Sequence, residues 1–209
     1  MNQIFDFFLE PYRTASSLNI FLEILAVIFG IASVWFAKKE SIWVYPTGII
    51  STVIYVYICY QFTLYGDLII NIYYTGMSIF GWYMWTRVVG NYHLEISRTT
   101  KKDKLKALGI FLITALFVIL VYIYFNRFDR LTDYFDTFTT GIFFAAMWLM
   151  ANKKIEHWSL WIIGNTVSVP LYFIKGLGFS GLQFTIFLIL AYQGYLAWKK
   201  NLDSKKQTS

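Results

Sequence analysis

Seven stretches of the chain are nearly free of charge and are separated by polar interruptions: residues 20–37, 42–60, 66–86, 105–125, 136–151, 158–175 and 181–198. An α-helix needs about 20 mostly apolar residues to cross the hydrocarbon core of a bilayer, and these stretches are of that order. Their apolar positions do not alternate as a strand's would. In lipid every backbone N–H and C=O must be paired within its own segment or a closed barrel, so the pattern predicts an all-α integral membrane protein with seven transmembrane helices. The connections are short except for residues 87–104, which are polar and basic.

The pattern also repeats. Gly81-Trp82-Tyr83-Met84-Trp85 closes the third stretch just before Arg87, and Gly194-Tyr195-Leu196-Ala197-Trp198 closes the seventh just before Lys199 and Lys200. Upstream, Lys38-Lys39-Glu40 precedes Trp43 as Lys153-Lys154-Ile155-Glu156 precedes Trp158. Leu68 to Trp85 aligns with Gly181 to Trp198 without a gap, which sets Asn71 and Tyr74 opposite Phe184 and Phe187. Aligning Glu40 with Glu156 sets Gly48 opposite Gly164. The expected organisation is therefore an extracytoplasmic segment (1–19), a first three-helix repeat (20–86), a basic cytoplasmic loop (87–104) and a linker helix (105–125). A second three-helix repeat (136–198) and a cytoplasmic tail (199–209) follow. One linker helix returns the second triplet to the orientation of the first, giving 3+1+3 parallel repeats about an axis along the membrane normal, with a solute site expected between them. The halves differ in polar chemistry, as an asymmetric ligand would favour.

Composition supports the membrane reading. The chain is 57% hydrophobic and 14% charged, with mean hydropathy +0.52, and cannot present an ordinary aqueous surface. Its eight tryptophans fall near the ends of apolar stretches, as interfacial belts do. The net charge of +6 has a topological explanation: 14 of the 18 basic residues fall in the tail and in loops expected on one side. Arg13, Arg127, Arg130 and Lys175 fall on the other side. Basic loops stay inside, so the N-terminus is expected outside and the C-terminus in the cytoplasm, and no nucleic-acid partner is expected. Met1 to Arg13 carries Asp6 and Glu10 without a basic start, so it does not read as a signal peptide. Phe5, Phe8 and Leu9 could form an amphipathic turn on the membrane. Cys59, alone in an apolar stretch, offers neither a disulfide nor a metal site. His93 and His157 read as cytoplasmic loop residues. No nucleophile elbow, phosphate-binding glycine loop or metal-ligand spacing occurs, so neither an enzyme nor a cofactor or metal is expected. Lipid-facing aromatics and helix interfaces look alike in sequence, which leaves a homo-oligomer open.

Three stretches carry candidate chemistry. In the sixth, Trp158, Trp161, Asn165, Ser168 and Tyr172 share one helix face. A carboxamide in mid-membrane is costly unless paired, so Asn165 reads either as a ligand-binding group or as an interhelical tie. In the third, Asn71, Tyr74, Ser78, Trp82 and Trp85 share a face whose rings suit a planar, cationic heteroaromatic. Trp85 and Trp198 read instead as interface anchors. The fifth opens with Asp136, Thr137, Thr139 and Thr140, ahead of Phe144. Asp136 reads equally as a partner for a ligand's cation or hydroxyls and as the helix cap. Pro46 with Gly48 would bend the second helix or allow close packing. Gln183 is a further contributor from the second triplet.

The motifs Leu64-Tyr65-x5-Asn71-x2-Tyr74-x6-Gly81-Trp82-x2-Trp85 and Lys154-x-Glu156-x-Trp158-x2-Trp161-x3-Asn165 resemble the Pnu family of bacterial vitamin transporters, over about residues 20–200. The resemblance implies a SWEET-like fold in the inner membrane. It also implies facilitated diffusion of a vitamin drawn inward by intracellular phosphorylation, with nicotinamide riboside for NAD biosynthesis as first choice. Trp82 and Trp85, then Trp158, Trp161 and Asn165, match the family's motifs, and Asp136 and Thr137 match its acidic residue followed by a small hydroxyl. Taken with the helix faces, the expected site has Tyr74, Trp82 and Trp161 around the ring, and Asn71 and Asn165 reading its polar groups. Asp136, Thr137, Thr140 and Ser168 complete the set. Asn71 stands where many nicotinamide riboside carriers have a glutamine, so thiamine or another vitamin of the same family is the alternative. A non-transporting membrane scaffold is a remote one.

Overall fold

The computed structural model describes residues 16–62, 65–89, 92–125, 130–175 and 178–207. The amphipathic turn expected around Phe5, Phe8 and Leu9, together with Leu64, Arg13 and Arg127, lies outside them. All seven expected segments are helices: α1 Ser17–Lys38, α2 Val44–Gln61, α3 Tyr65–Thr86, α4 Lys101–Tyr124, α5 Leu131–Ala151, α6 Glu156–Ile174 and α7 Gly178–Gln207. Two short strands, β1 Val88–Val89 and β2 Tyr92–His93, pair antiparallel between α3 and α4.

Neighbouring helices pack in a ring. Helix α1 lies against α2 and α7, α2 against α3, α3 against α5, α5 against α6, and α6 against α7. Helix α4 packs on α5, and only Ala107 and Thr114 are buried along it. An 18-residue stretch of it has mean hydropathy 2.6, as expected of a helix that meets lipid on most sides. By length and composition α1, α4 and α7 can each cross a membrane. Helix α5 is the opposite case. Its small Gly141, Ala145, Ala146 and Ala151 are buried among neighbouring helices.

Several boundaries differ from the sequence expectation, for local reasons. Helix α4 begins at Lys101 because Thr100 and Asp103 form a capping box: the Asp103 N–H donates to Thr100 Oγ1 at 3.2 Å and the Thr100 N–H to Asp103 Oδ2 at 2.9 Å. Residues 87–104 are thus not a uniform loop. Beyond the hairpin, Ser97 bridges to the α5–α6 connection, its N–H donating to the Lys153 carbonyl and its carbonyl accepting from the Ile155 N–H, each at 3.0 Å. Helix α5 begins at Leu131, with Asp133 accepting from the Arg130 N–H at 2.9 Å. Asp133, not Asp136, is therefore the capping acid. Helix α7 continues past Trp198 to Gln207. Pro46 falls in the first turn of α2, where it breaks no hydrogen bond and bends nothing, while a Cβ on Gly48 would lie 3.0 Å from Ser33 Oγ. Close packing is what that glycine allows.

The two tryptophans read as interface anchors are buried pins instead. Trp85 Nε1 donates to the Met150 carbonyl at 3.2 Å, and Trp198 Nε1 donates to the Ala37 carbonyl at 3.0 Å. Both carbonyls lie in last turns, and each also accepts a backbone N–H, Met150 from Lys153 at 2.9 Å and Ala37 from Glu40 at 3.0 Å. Donors and acceptors here are each 113 positions apart in sequence (85 and 198; 37 and 150). The same spacing relates Tyr45, packed on Gly81, to Trp158, packed on Gly194. Among the described residues it also relates the two non-glycine residues with positive φ, Glu40 at 55° and Lys153 at 48°. This register pairs Glu40 with Lys153, not with Glu156, and so moves Gly48 away from Gly164. A left-handed residue two positions past each helix end fixes the alignment more tightly than matching acids do.

His157 is not a loop residue. It lies inside α6, fully buried, with ring centroids 4.4 Å from Trp158 and 4.8 Å from Trp198. Trp198→Phe, which removes the Nε1–H bond and part of the ring volume, is expected to cost about 2 kcal/mol. The exposed control Trp35→Phe is expected to stay within about 0.5 kcal/mol. Denaturant titration in detergent, followed by helical ellipticity, measures both.

Candidate solute site

Inside the ring lies a cavity of about 230 Å³, lined from α1, α2, α3, α5, α6 and α7. Its walls are chemically unlike. Helices α1 to α3 contribute Ser33, Ser51, Thr52, Tyr55, Asn71, Tyr74 and Ser78. Helices α5 to α7 contribute Phe143, Trp158, Trp161, Phe184 and Phe187, with Asn165 and Gln183 among them. The 113-residue register explains the contrast: Asn71 and Tyr74 correspond to Phe184 and Phe187, and Gly30 corresponds to Phe143.

The rings form a layered surface. Phe143 stacks on Trp161 at 5.0 Å with planes 25° apart, and on Phe184 at 6.1 Å with planes 10° apart. Gly164 makes room for it, since a Cβ there would overlap the Phe143 ring. Flat faces at this spacing attract a further planar ring, and a cationic one more strongly.

Most hydroxyls on the other wall are already engaged. Ser33 Oγ donates to the Val44 carbonyl at 2.7 Å and Ser51 Oγ to the Ala26 carbonyl at 2.8 Å. Thr52 and Thr75 share a hydrogen bond of 2.7 Å between α2 and α3. Asn71 donates from Nδ2 to the Asp67 carbonyl at 2.8 Å. Two buried groups on the cavity are different. Asn165 Oδ1 and Trp158 Nε1 have no hydrogen-bond partner, although each residue is only 1% exposed. A buried acceptor without a donor costs about 1–3 kcal/mol, and a solute carrying one donor and one acceptor would satisfy both groups.

Of the residues singled out in sequence, Asn71, Tyr74, Ser78, Trp158, Trp161, Asn165 and Gln183 meet on this cavity. Trp82, Asp136, Thr137, Thr140 and Ser168 do not line it. Trp82 is 41% exposed: α3 turns Gly81 onto Tyr45, and the next residue, roughly 100° round the helix, faces outward. Ser168 is buried one turn beyond Asn165, its Oγ without a partner. Thr137 is buried and donates to the Asp133 carbonyl at 2.8 Å, and Thr140 is half-buried on α5. Asp136 is ion-paired with Lys175, just past the end of α6, and accepts from Tyr122 Oη at 3.3 Å. Sequence reasoning missed Phe143 and Tyr55 as lining residues. The repeat sets Phe184 and Phe187 opposite Asn71 and Tyr74, but only the packing of α5 to α7 makes them a wall.

The family model described as "Nicotinamide mononucleotide transporter" matches residues 20–200. The chain belongs to that family. Among curated members similar to it, the nicotinamide riboside transporter PnuC of Escherichia coli is 24% identical over 202 residues, covering 85% of this chain and 84% of the relative. The PnuC of Neisseria mucosa is 27% identical over 191 residues, covering 84% and 71% respectively. The riboflavin/roseoflavin transporter RibM of Streptomyces davaonensis is 22% identical over 188 residues, covering 86% and 84%. A crystal structure of the vitamin B3 transporter PnuC superposes with a TM-score of 0.65 at 24% identity, over 86% of this chain and 81% of that one. The fold is therefore that of a multi-pass helical membrane transporter, and the motif resemblance to the Pnu family holds.

Proposed function

We propose that this protein carries nicotinamide riboside across the bacterial inner membrane by facilitated diffusion. The observation that carries the proposal is the cavity at the centre of the helix ring, with a stacked aromatic wall facing a polar one and an unpartnered amide oxygen and indole N–H between them. The nicotinamide ring would lie against Phe143, Trp161 and Phe184, where its positive charge gains from the ring faces. The carboxamide N–H would reach Asn165 Oδ1, and the ribose hydroxyls would meet Asn71, Tyr74 and the serines of α1 to α3. Trp82, Asp136, Thr137, Thr140 and Ser168 would act by shaping the entrances or the packing around the cavity.

In this reading residues 20–86 and 136–198 are parallel three-helix repeats of SWEET type with α4 as their linker. The two triplets rock about the cavity to open it on one side and then the other. The end bearing Lys38, Lys39, Lys153, Lys154, Lys199 and Lys200 faces the cytoplasm, so the N-terminus is outside. The protein performs no chemistry on the solute, and net uptake comes from its phosphorylation inside the cell. A second reading, a flavin carrier, has the RibM relative in its favour. The cavity, smaller than the roughly 300–1,000 Å³ usual for ligand pockets, suits a one-ring nucleoside better than a three-ring flavin.

Quenching of tryptophan fluorescence in the purified protein, titrated in parallel with nicotinamide riboside, thiamine and riboflavin, tests the assignment. Saturable quenching by nicotinamide riboside at concentrations at least tenfold below the other two is expected. Preferential quenching by thiamine or riboflavin would reassign the vitamin, and quenching by none would remove the proposal.

A further inference from the structure

The repeat places two oppositely charged residues at equivalent positions, and they meet. Glu40 follows α1 and Lys153 follows α5, both in the left-handed region, which non-glycine residues seldom occupy unless the surroundings hold them there. Lys153 Nζ lies 2.8 Å from Glu40 Oε1, with the lysine side chain only 9% exposed. The same ammonium sits 4.5 Å above the Trp85 ring, and Asn201 Nδ2 donates to Glu40 Oε2 at 3.4 Å.

Around this pair the two halves are tied together. The Trp85 and Trp198 pins cross between them, and Lys38 Nζ donates to Gln193 Oε1 at 2.8 Å. Ala37 and Met150, each three residues before a member of the ion pair, line the cavity together with Val44 and Trp158. The pair therefore stands just beyond one end of the cavity, on the line about which the halves are related. A rocking motion that opens this end must separate the positions either side of that line, and so must part Glu40 from Lys153.

We propose that Glu40 and Lys153 form a latch that holds the cavity shut at the basic end of the bundle, and that parting them is the step that opens it there. Because the lysine is largely buried, solvent screens the pair weakly and its loss shifts the open–closed balance more than loss of a surface pair would. The tryptophan pins remain when either charge is neutralised, so the shift is a change of population and not of fold. The inference rests on reading the cavity as a solute passage, but its test needs no solute.

A reporter cysteine supplies that test. Val44 lines the cavity at this end and is only 2% exposed, so Val44→Cys, with Cys59→Ala to remove the native thiol, reacts only when the end opens. Inverted membrane vesicles are treated with a membrane-impermeant maleimide and the rate of modification is followed. Glu40→Gln and Lys153→Met are each expected to raise the rate roughly tenfold, within the range usual for couplings between states. The double reversal Glu40→Lys with Lys153→Glu is expected to bring it back towards the parent, since both positions share one backbone conformation. Equal rates in the parent and both neutral variants would overturn the latch. If a neutral variant is not recovered folded, the double reversal decides: slow modification supports the latch, and modification about tenfold faster than the parent's overturns it. A protein that binds no nicotinamide riboside would still show the rate difference, so the latch and the proposed substrate fail separately.

Discussion

Asn165→Leu is expected to leave the empty protein at least as stable as the parent and to abolish high-affinity binding of nicotinamide riboside. The two effects have opposite signs because they act on different states. In the empty cavity Asn165 Oδ1 is buried without a hydrogen-bond partner, and replacing an unsatisfied buried acceptor with an apolar group of similar size removes a cost of about 1–3 kcal/mol. In the loaded cavity the same oxygen would accept from the ligand's carboxamide, and leucine would leave that donor unpaired. The expected affinity loss is about tenfold to 100-fold, the range for an unpaired buried donor. Thermal unfolding in detergent reads both quantities. At 100 times the dissociation constant a ligand stabilises the parent by about 2.7 kcal/mol, and at the same concentration the variant should keep only about 0.4–1.4 kcal/mol of this. If Asn165 were an interhelical tie, the leucine variant would melt lower even without ligand, and that result would remove it from the site.

The fold was legible because lipid imposes one strong constraint. Seven apolar stretches without alternation permit little besides seven helices, and all seven are present. The starts of α4 and α5 were read four and five residues late because their first turns are polar, and hydropathy does not register a capping box such as Thr100 with Asp103. Half of the cavity was legible as well. Asn71, Tyr74, Trp161 and Asn165 share faces at helical spacing, and those faces do turn inward. Trp82 has the same spacing but is carried outward by the seating of Gly81 on Tyr45, a contact between helices that no single-helix periodicity contains. Trp85 and Trp198 misled for a related reason. A tryptophan at the end of an apolar stretch serves equally at a membrane interface or as a donor to another helix's last carbonyls, and only the neighbouring helix distinguishes the two. The register of the repeat also depended on backbone conformation, since the matching positions Glu40 and Lys153 have opposite charges and are alike only in φ.

Gly81→Ala and Gly194→Ala are expected to destabilise the protein by about 1–3 kcal/mol each, the cost of forcing extra volume into a packed core. A Cβ on Gly81 would overlap the Tyr45 ring and one on Gly194 would overlap the Trp158 ring, both rings being buried. Gly76 and Gly109 are helical glycines with open space where a Cβ would go. Alanine at those positions should be neutral or stabilising by up to about 1 kcal/mol, through helix propensity alone. Equilibrium unfolding of the four variants separates the pairs. The sharper measurement is a cross-rescue. Tyr45→Ala should offset Gly81→Ala but not Gly194→Ala, and Trp158→Ala the reverse, with coupling of about 0.5–3 kcal/mol confined to the matched pairs. Matched coupling of similar size in both halves would mean that the repeated contact is one packing device used twice, seating α3 on α2 and α7 on α6. These seats lie next to the Trp85 and Trp198 pins, so Tyr45→Ala should also recover any transport lost in Gly81→Ala, whereas Trp158 lines the cavity and its double is read by stability alone. Additive effects in every combination would mean that the glycines act through backbone propensity, and the repeated ring-on-glycine contact would then have no energetic role.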